Sequence, residues 1–96
     1  MVGLVAVLKI KPGMEAAVAA ACLKMAEAVH KHEKDCLLYE PYVPADGSPA
    51  VFFLEKYKNM DALAEHRKTA HYLEFRDTIK DALAEPPQVS VLKPLG

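Results

Sequence analysis

Features that announce many common functions are missing from this chain. No apolar run approaches the roughly 20 residues needed to span a membrane, and the start, Met1-Val2-Gly3-Leu4, lacks the charged opening and small-residue cleavage site of a secretory signal. These absences predict a cytoplasmic protein with no membrane partner. Two cysteines, Cys22 and Cys36, match no zinc or redox spacing and read as free thiols. There is no Gly-rich phosphate loop, dinucleotide fingerprint or Gly-x-Ser-x-Gly elbow, which argues against an ordinary nicotinamide or flavin enzyme. The formal charge is -1 and the lysines and arginines form no block, so no nucleic-acid partner is expected. His30, His32, Glu33 and Cys36 lie close in sequence. Histidines two apart on a helix point to different sides, and the set has no zinc spacing, so no metal site is expected.

What is present is apolar surface. The 96 residues predict one domain over 1–96, and 52% of them are hydrophobic. A chain this short buries only about two-thirds of its unfolded surface. The excess calls for a partner.

The hydrophobic period alternates between strand and helix. Val2 to Lys11 reads as a strand with Val2, Leu4, Ala6, Leu8 and Ile10 on one face and Val5 and Val7 on the other, so both faces are apolar. Pro12-Gly13 breaks it. Val18, Cys22, Met25 and Val29 then recur at helical spacing, predicting a helix over about 14–31 with His30, Lys31 and His32 in its last turn. Strands follow at about 36–43 and 50–57, separated by an Asp46-Gly47-Ser48 turn. Asn59 and Thr69 each can cap a helix, one ending near Lys68 and one running over about 70–84 with the stripe Tyr72, Phe75, Ile79 and Leu83. Pro86-Pro87 stops the second, and a last strand covers about 88–93. A strand-helix-strand-strand-helix-strand order predicts an α+β, ferredoxin-like βαββαβ fold, an antiparallel sheet with helices on one face. The other face, with Val5, Val7, Phe52 and Leu54, predicts a homodimer through the sheet.

Glu55, Tyr57, His66, His71 and Tyr72 are the candidate chemical residues. Glu55 and Tyr57 share a strand face, and the two histidines flank the predicted break at Thr69. Together they suit acid–base work on a small organic molecule. Each also has a structural reading: solvated strand end, helix-start hydrogen bonding, or core aromatic with a satisfied hydroxyl.

The stretch Glu55-Lys56-Tyr57, Ala62-Leu63, His66 and Thr69-Ala70-His71-Tyr72 resembles the antibiotic biosynthesis monooxygenase (ABM) domain. That family typically shows Glu-x-Trp or Glu-x-Tyr, an Ala-Leu pair, a His, and then Ser/Thr-Pro-His; Ala70 here replaces the proline. Val5 to Gly13, Asp35 to Tyr39 and Val89 to Leu92 fit the same pattern. The resemblance implies a dimeric α+β barrel and, in several members, oxidation of quinols or polycyclic aromatics by dioxygen without metal or flavin. It implies His66 or His71 as base, and Tyr57 and Tyr72 orienting a substrate oxygen. Phe53, Phe75 and Leu38 would form the wall, and no cofactor would be needed. Glu-x-Tyr with Thr-x-His-Tyr is also similar to an isomerase of the phosphorylated autoinducer-2 signal, for which Arg67, Lys68 and Arg76 would supply the anion site. A pocket that binds a small ligand without turnover is a third reading. Haem-degrading members usually carry a strand Asn and a Trp; this chain has no Trp, and Ala6 stands near the Asn position.

Overall fold

A computed structural model describes residues 1–96. The elements are β1 (Val2–Lys9), α1 (Glu15–His32), β2 (Cys36–Tyr42), β3 (Ala50–Tyr57), α2 (Met60–His66), α3 (Ala70–Ile79) and β4 (Gln88–Leu92), with a 3-10 turn at Lys80–Ala82. The four strands form one antiparallel sheet in the order β2-β3-β1-β4. This is the ferredoxin-like α+β arrangement read from the sequence, and no helix is long and apolar enough to cross a membrane.

Alternation decides which face is covered. Val2, Leu4, Ala6 and Leu8 of β1 and Val51, Phe53, Glu55 and Tyr57 of β3 are buried beneath the helices. The α1 stripe of Val18, Cys22, Met25 and Val29 packs into the same core. On the opposite face Phe52 and Leu54 are each 37% exposed, with Val5 paired to Leu54 and Val7 to Phe52. All five residues of β4 are exposed.

Two elements end earlier than the hydrophobic pattern alone suggests. β1 stops at Lys9, because Ile10 bridges to Leu83 and the Lys11 N–H donates to the Ala82 carbonyl at 2.9 Å. That pairing also unwinds the helix predicted to reach Ala84. α3 ends at Ile79, the backbone turns extended at Leu83, and Leu83 is buried as a bridging residue rather than as part of a helical stripe. The backbone hydrogen bonds gained with β1 replace those the helix would have made.

Local chemistry fixes the ends nearest the site. The Asn59 Oδ1 accepts from the Ala62 N–H at 2.9 Å, starting α2. The Thr69 Oγ1 accepts from the Tyr72 N–H at 3.2 Å and donates to the His66 carbonyl at 2.8 Å, tying the end of α2 to the start of α3. Gly13, at φ +87°, makes the turn before α1, where a side chain would be strained. Helix α1 terminates on Glu33, whose N–H donates to the Val29 carbonyl at 2.9 Å.

Candidate functional site

A cavity of about 100 Å³ lies between the sheet and the pair α2 and α3. Leu4, Ala6 and Phe53 form its sheet side, and Leu63, Phe75 and Ile79 its helix side. Glu55, His66, Arg67, Tyr72 and Arg76 bring polar groups to this apolar lining. A concave, mostly apolar space with a few convergent polar groups is the usual form of a small-molecule site.

His66 is at the centre. It is 3% exposed, and its ring lies 5.2 Å from that of Tyr72, 5.3 Å from Tyr57 and 5.4 Å from Tyr39, centroid to centroid. Its Nδ1 donates to Glu33, 2.8 Å from Oε1 and 3.0 Å from Oε2. The same Oε2 accepts from His71 Nε2 at 2.5 Å. The Glu33 carboxylate therefore bridges the two histidines. Burial pulls the His66 imidazole below its ordinary pKa, and the neighbouring Glu33 opposes but does not reverse this.

Glu55 is the second polar centre. Tyr57 donates its hydroxyl to Glu55 Oε1 at 2.6 Å. Burial raises the Glu55 carboxyl from 4.5 to about 7; the Tyr57 hydrogen bond and the Arg67 charge hold it down, and Glu33 pushes it up. Burial likewise raises the Tyr57 and Tyr39 hydroxyls far above their usual range. One cavity thus holds a histidine biased to its neutral form and a carboxyl biased to keep its proton. Groups pushed apart in this way can act as base and acid at the same pH.

Of the residues singled out in the sequence, Phe53, Glu55, His66, Tyr72, Phe75 and Arg76 line the cavity. Tyr57 stands behind it, bonded to Glu55 and against His66. His71 does not line it; it faces a separate groove between α1 and α3, with Nε2 on Glu33. Leu38 requires a correction. β2 carries a bulge between Cys36 and Leu38, so Leu38 pairs with Lys56 and faces away from the helices, while Tyr39 pairs with Glu55 and takes the wall position.

The sequence brings up Glu33 only as part of a metal set that it rejects, and Tyr39 only within the family pattern; neither reads there as a residue of this site. Glu33 lies next to His32 at a helix end, and no spacing rule connects it to His66, which is 33 positions away. Only the tertiary contact between the end of α1 and the α2–α3 corner makes that link. No group of three or more His, Cys, Asp or Glu side chains is arranged to hold a metal ion.

Comparison with known proteins places this geometry among relatives. The family model described as antibiotic biosynthesis monooxygenase matches residues 1–78. Rv0793 of Mycobacterium tuberculosis, a candidate monooxygenase by name, is 43% identical over 63 residues, which cover 66% of this chain and 61% of that relative's length. Its solved structure superposes with a TM-score of 0.91 at 33% identity, over 99% of this chain and 95% of that one. A structure from Nitrosomonas europaea, named as a candidate antibiotic biosynthesis monooxygenase, gives a TM-score of 0.94 at 27% identity over 100% of both chains. PA3566 of Pseudomonas aeruginosa shares the fold, with a TM-score of 0.88 at 23% identity over 99% of this chain and 94% of that one.

Proposed function

Since the chain belongs to the antibiotic biosynthesis monooxygenase family, we propose that it oxidises a small aromatic or quinol-type substrate with dioxygen and without a cofactor. The observation that carries this reading is His66. It is buried in an apolar cavity, biased to its neutral form, and held at Nδ1 by Glu33. Its Nε2 would take the proton of an acidic substrate. The electron-rich anion left behind then passes one electron to dioxygen, and the radical pair combines into a carbon-bound peroxide that takes the proton back from His66. Loss of the ring C–H proton with cleavage of the O–O bond releases water and leaves a hydroxyquinone, so the quinol supplies all four electrons and both hydrogens of the water. The apolar lining excludes competing water. Tyr72 and Glu55 would orient the substrate oxygen, with Tyr57 acting through Glu55. Phe53 and Phe75, 6.0 Å apart in an edge-on pair, suit an aromatic ring. A space of about 100 Å³ argues against a polycyclic substrate, since benzene alone occupies a cavity of roughly 150 Å³.

We propose further that the working unit is a homodimer. Val5, Val7, Phe52 and Leu54 lie on the face without helices, beside the edge strand β4. A second copy supplies the cover that one chain lacks.

Oxygen uptake with a single-ring quinol tests the reaction. The chain should consume oxygen, and His66→Ala should lower the rate by about 100-fold or more, the usual worth of a positioned base. No uptake with any quinol or phenol would refute the oxygenase reading. One observation favours a second reading: Arg67 and Arg76 line the same cavity as the Glu55 and His66 pair. An isomerase of a small phosphorylated metabolite would use the arginines for its phosphate and the pair for proton transfer. Binding of a sugar phosphate that disappears in Arg67→Ala and in Arg76→Ala would favour it.

A further inference from the structure

The base role of His66 requires that its cavity-side nitrogen carry a lone pair, and a neutral imidazole has two tautomers, only one of which provides it. A carboxylate offers acceptors alone, so a ring nitrogen 2.8 Å and 3.0 Å from its two oxygens must be the protonated one. In His66 that nitrogen is Nδ1. Nε2 makes no hydrogen bond, and no buried polar side-chain atom lacks a partner, so Nε2 keeps some exposure. The ring lines both the cavity and the polar groove that holds Glu33; with Nδ1 turned to Glu33, Nε2 is the nitrogen left for the cavity. We propose that Glu33 is the positioning residue of this site, holding His66 in its Nδ1–H tautomer, and that His71 serves to hold Glu33 rather than to meet substrate.

The geometry gives each partner a separate task. Glu33 enters from the end of α1, His66 from the last residue of α2 and His71 from the first turn of α3. His71 Nε2 donates to Oε2 and prevents the carboxylate from turning away, and the His71 ring stacks on His32 at 6.0 Å. The His66 and Glu33 side chains are 4% and 11% exposed, which shields their bond from water, whereas His71 is 20% exposed. During turnover the substrate O–H bond breaks, its proton forms an N–H bond at His66 Nε2, and the electron pair stays on the substrate oxygen. The resulting imidazolium keeps its Nδ1–H on Glu33, whose charge then faces a full positive charge. Other charged or titratable groups face this cluster from every side. Cys36 approaches from β2, Glu55 from β3 and Arg67 from beside His66. His32, Lys34, Asp35, Asp61 and Glu65 line the polar groove next to Glu33.

This inference deepens the reading of His66 as base and can be tested without turnover. Long-range proton–nitrogen NMR of the isotope-labelled full chain at neutral pH reports which ring nitrogen of each histidine is protonated. The wild-type chain should show His66 with a protonated Nδ1 and a bare Nε2, and His71 with a protonated Nε2. Glu33→Ala should move His66 toward the tautomer with the proton on Nε2. Its quinol-dependent oxygen uptake should fall by about tenfold or more in kcat with little change in KM, and Glu33→Asp should recover part of that loss. A wild-type His66 protonated on Nε2 alone would overturn the proposal even if every variant failed to fold, and so would an unchanged tautomer in a folded Glu33→Ala. An Nδ1–H tautomer in a chain that consumes no oxygen would sink the oxygenase reading and leave the assignment of Glu33 supported.

Discussion

Glu55→Gln keeps an oxygen acceptor for the Tyr57 hydroxyl while removing the titration. In the folded chain the Glu55 carboxyl titrates at about 7, against 4.5 when ordinarily solvated. The folded state therefore binds this proton more tightly than the unfolded state does. Below about pH 4.5 both states hold the proton and the group costs nothing. Between about 4.5 and 7 the unfolded chain releases its proton first, so stability falls as pH rises. At 1.36 kcal/mol for each unit of pKa, the full loss is about 3 kcal/mol. His66 works in the opposite sense. Its folded pKa lies below 6.5, so its contribution is lost as pH falls, but wild type and variant share this and the difference between them cancels it. Urea unfolding of both at one fixed protein concentration, at about pH 4.5 and pH 8, gives that difference directly. Whatever its absolute stability, Glu55→Gln should gain about 3 kcal/mol on wild type between the two pH values. A difference that stays constant within about 0.5 kcal/mol, or that moves the other way, would refute the claim that burial holds the proton on Glu55.

Three other outcomes follow from the same packing. Val7→Asp places a charge opposite Phe52 on the helix-free face; if the proposed dimer forms through this face the charge is buried there without a partner, at a cost of several kcal/mol, so light scattering should show a dimer for wild type and monomer or unfolded chain for the variant, and a variant as dimeric as wild type would mean that this face is not the contact. Burial raises the Cys22 thiol to about 12 and the Cys36 thiol to about 11. An aromatic disulfide reagent at pH 8 should therefore react slowly with native protein and fast with urea-unfolded protein, and rapid native labelling would contradict the burial. Thr69→Ala removes both the cap of α3 and the bond to the His66 carbonyl; it should cost about 1 kcal/mol in denaturant unfolding, and no loss would show the corner to be held by other contacts.

Element order, sheet faces and cap residues were legible because each depends on local sequence. The period of two in β1 and β3 separated Leu4, Phe53 and Tyr57 from Val5, Phe52 and Leu54, as the structure does. Asn59 and Thr69 cap the helices they were expected to cap. Element ends were less legible: the pairing of Ile10 with Leu83 joins residues that only the finished fold brings together. The same reason hid Glu33. A carboxylate at a helix end reads as a solvated charge until tertiary structure places two histidines on it. Leu38 was misplaced for a different reason, since an extra residue in β2 breaks the alternation on which face assignment depends.

That extra residue gives the edge strand a choice of two notches. With Leu37 unmatched between the partners of Tyr57 and Lys56, Tyr39 looks inward; sliding the strand by one residue to regular pairing would turn Tyr39 out and Leu38 in. A polar aromatic wall and a smooth aliphatic one are thus encoded in the same seven residues of β2.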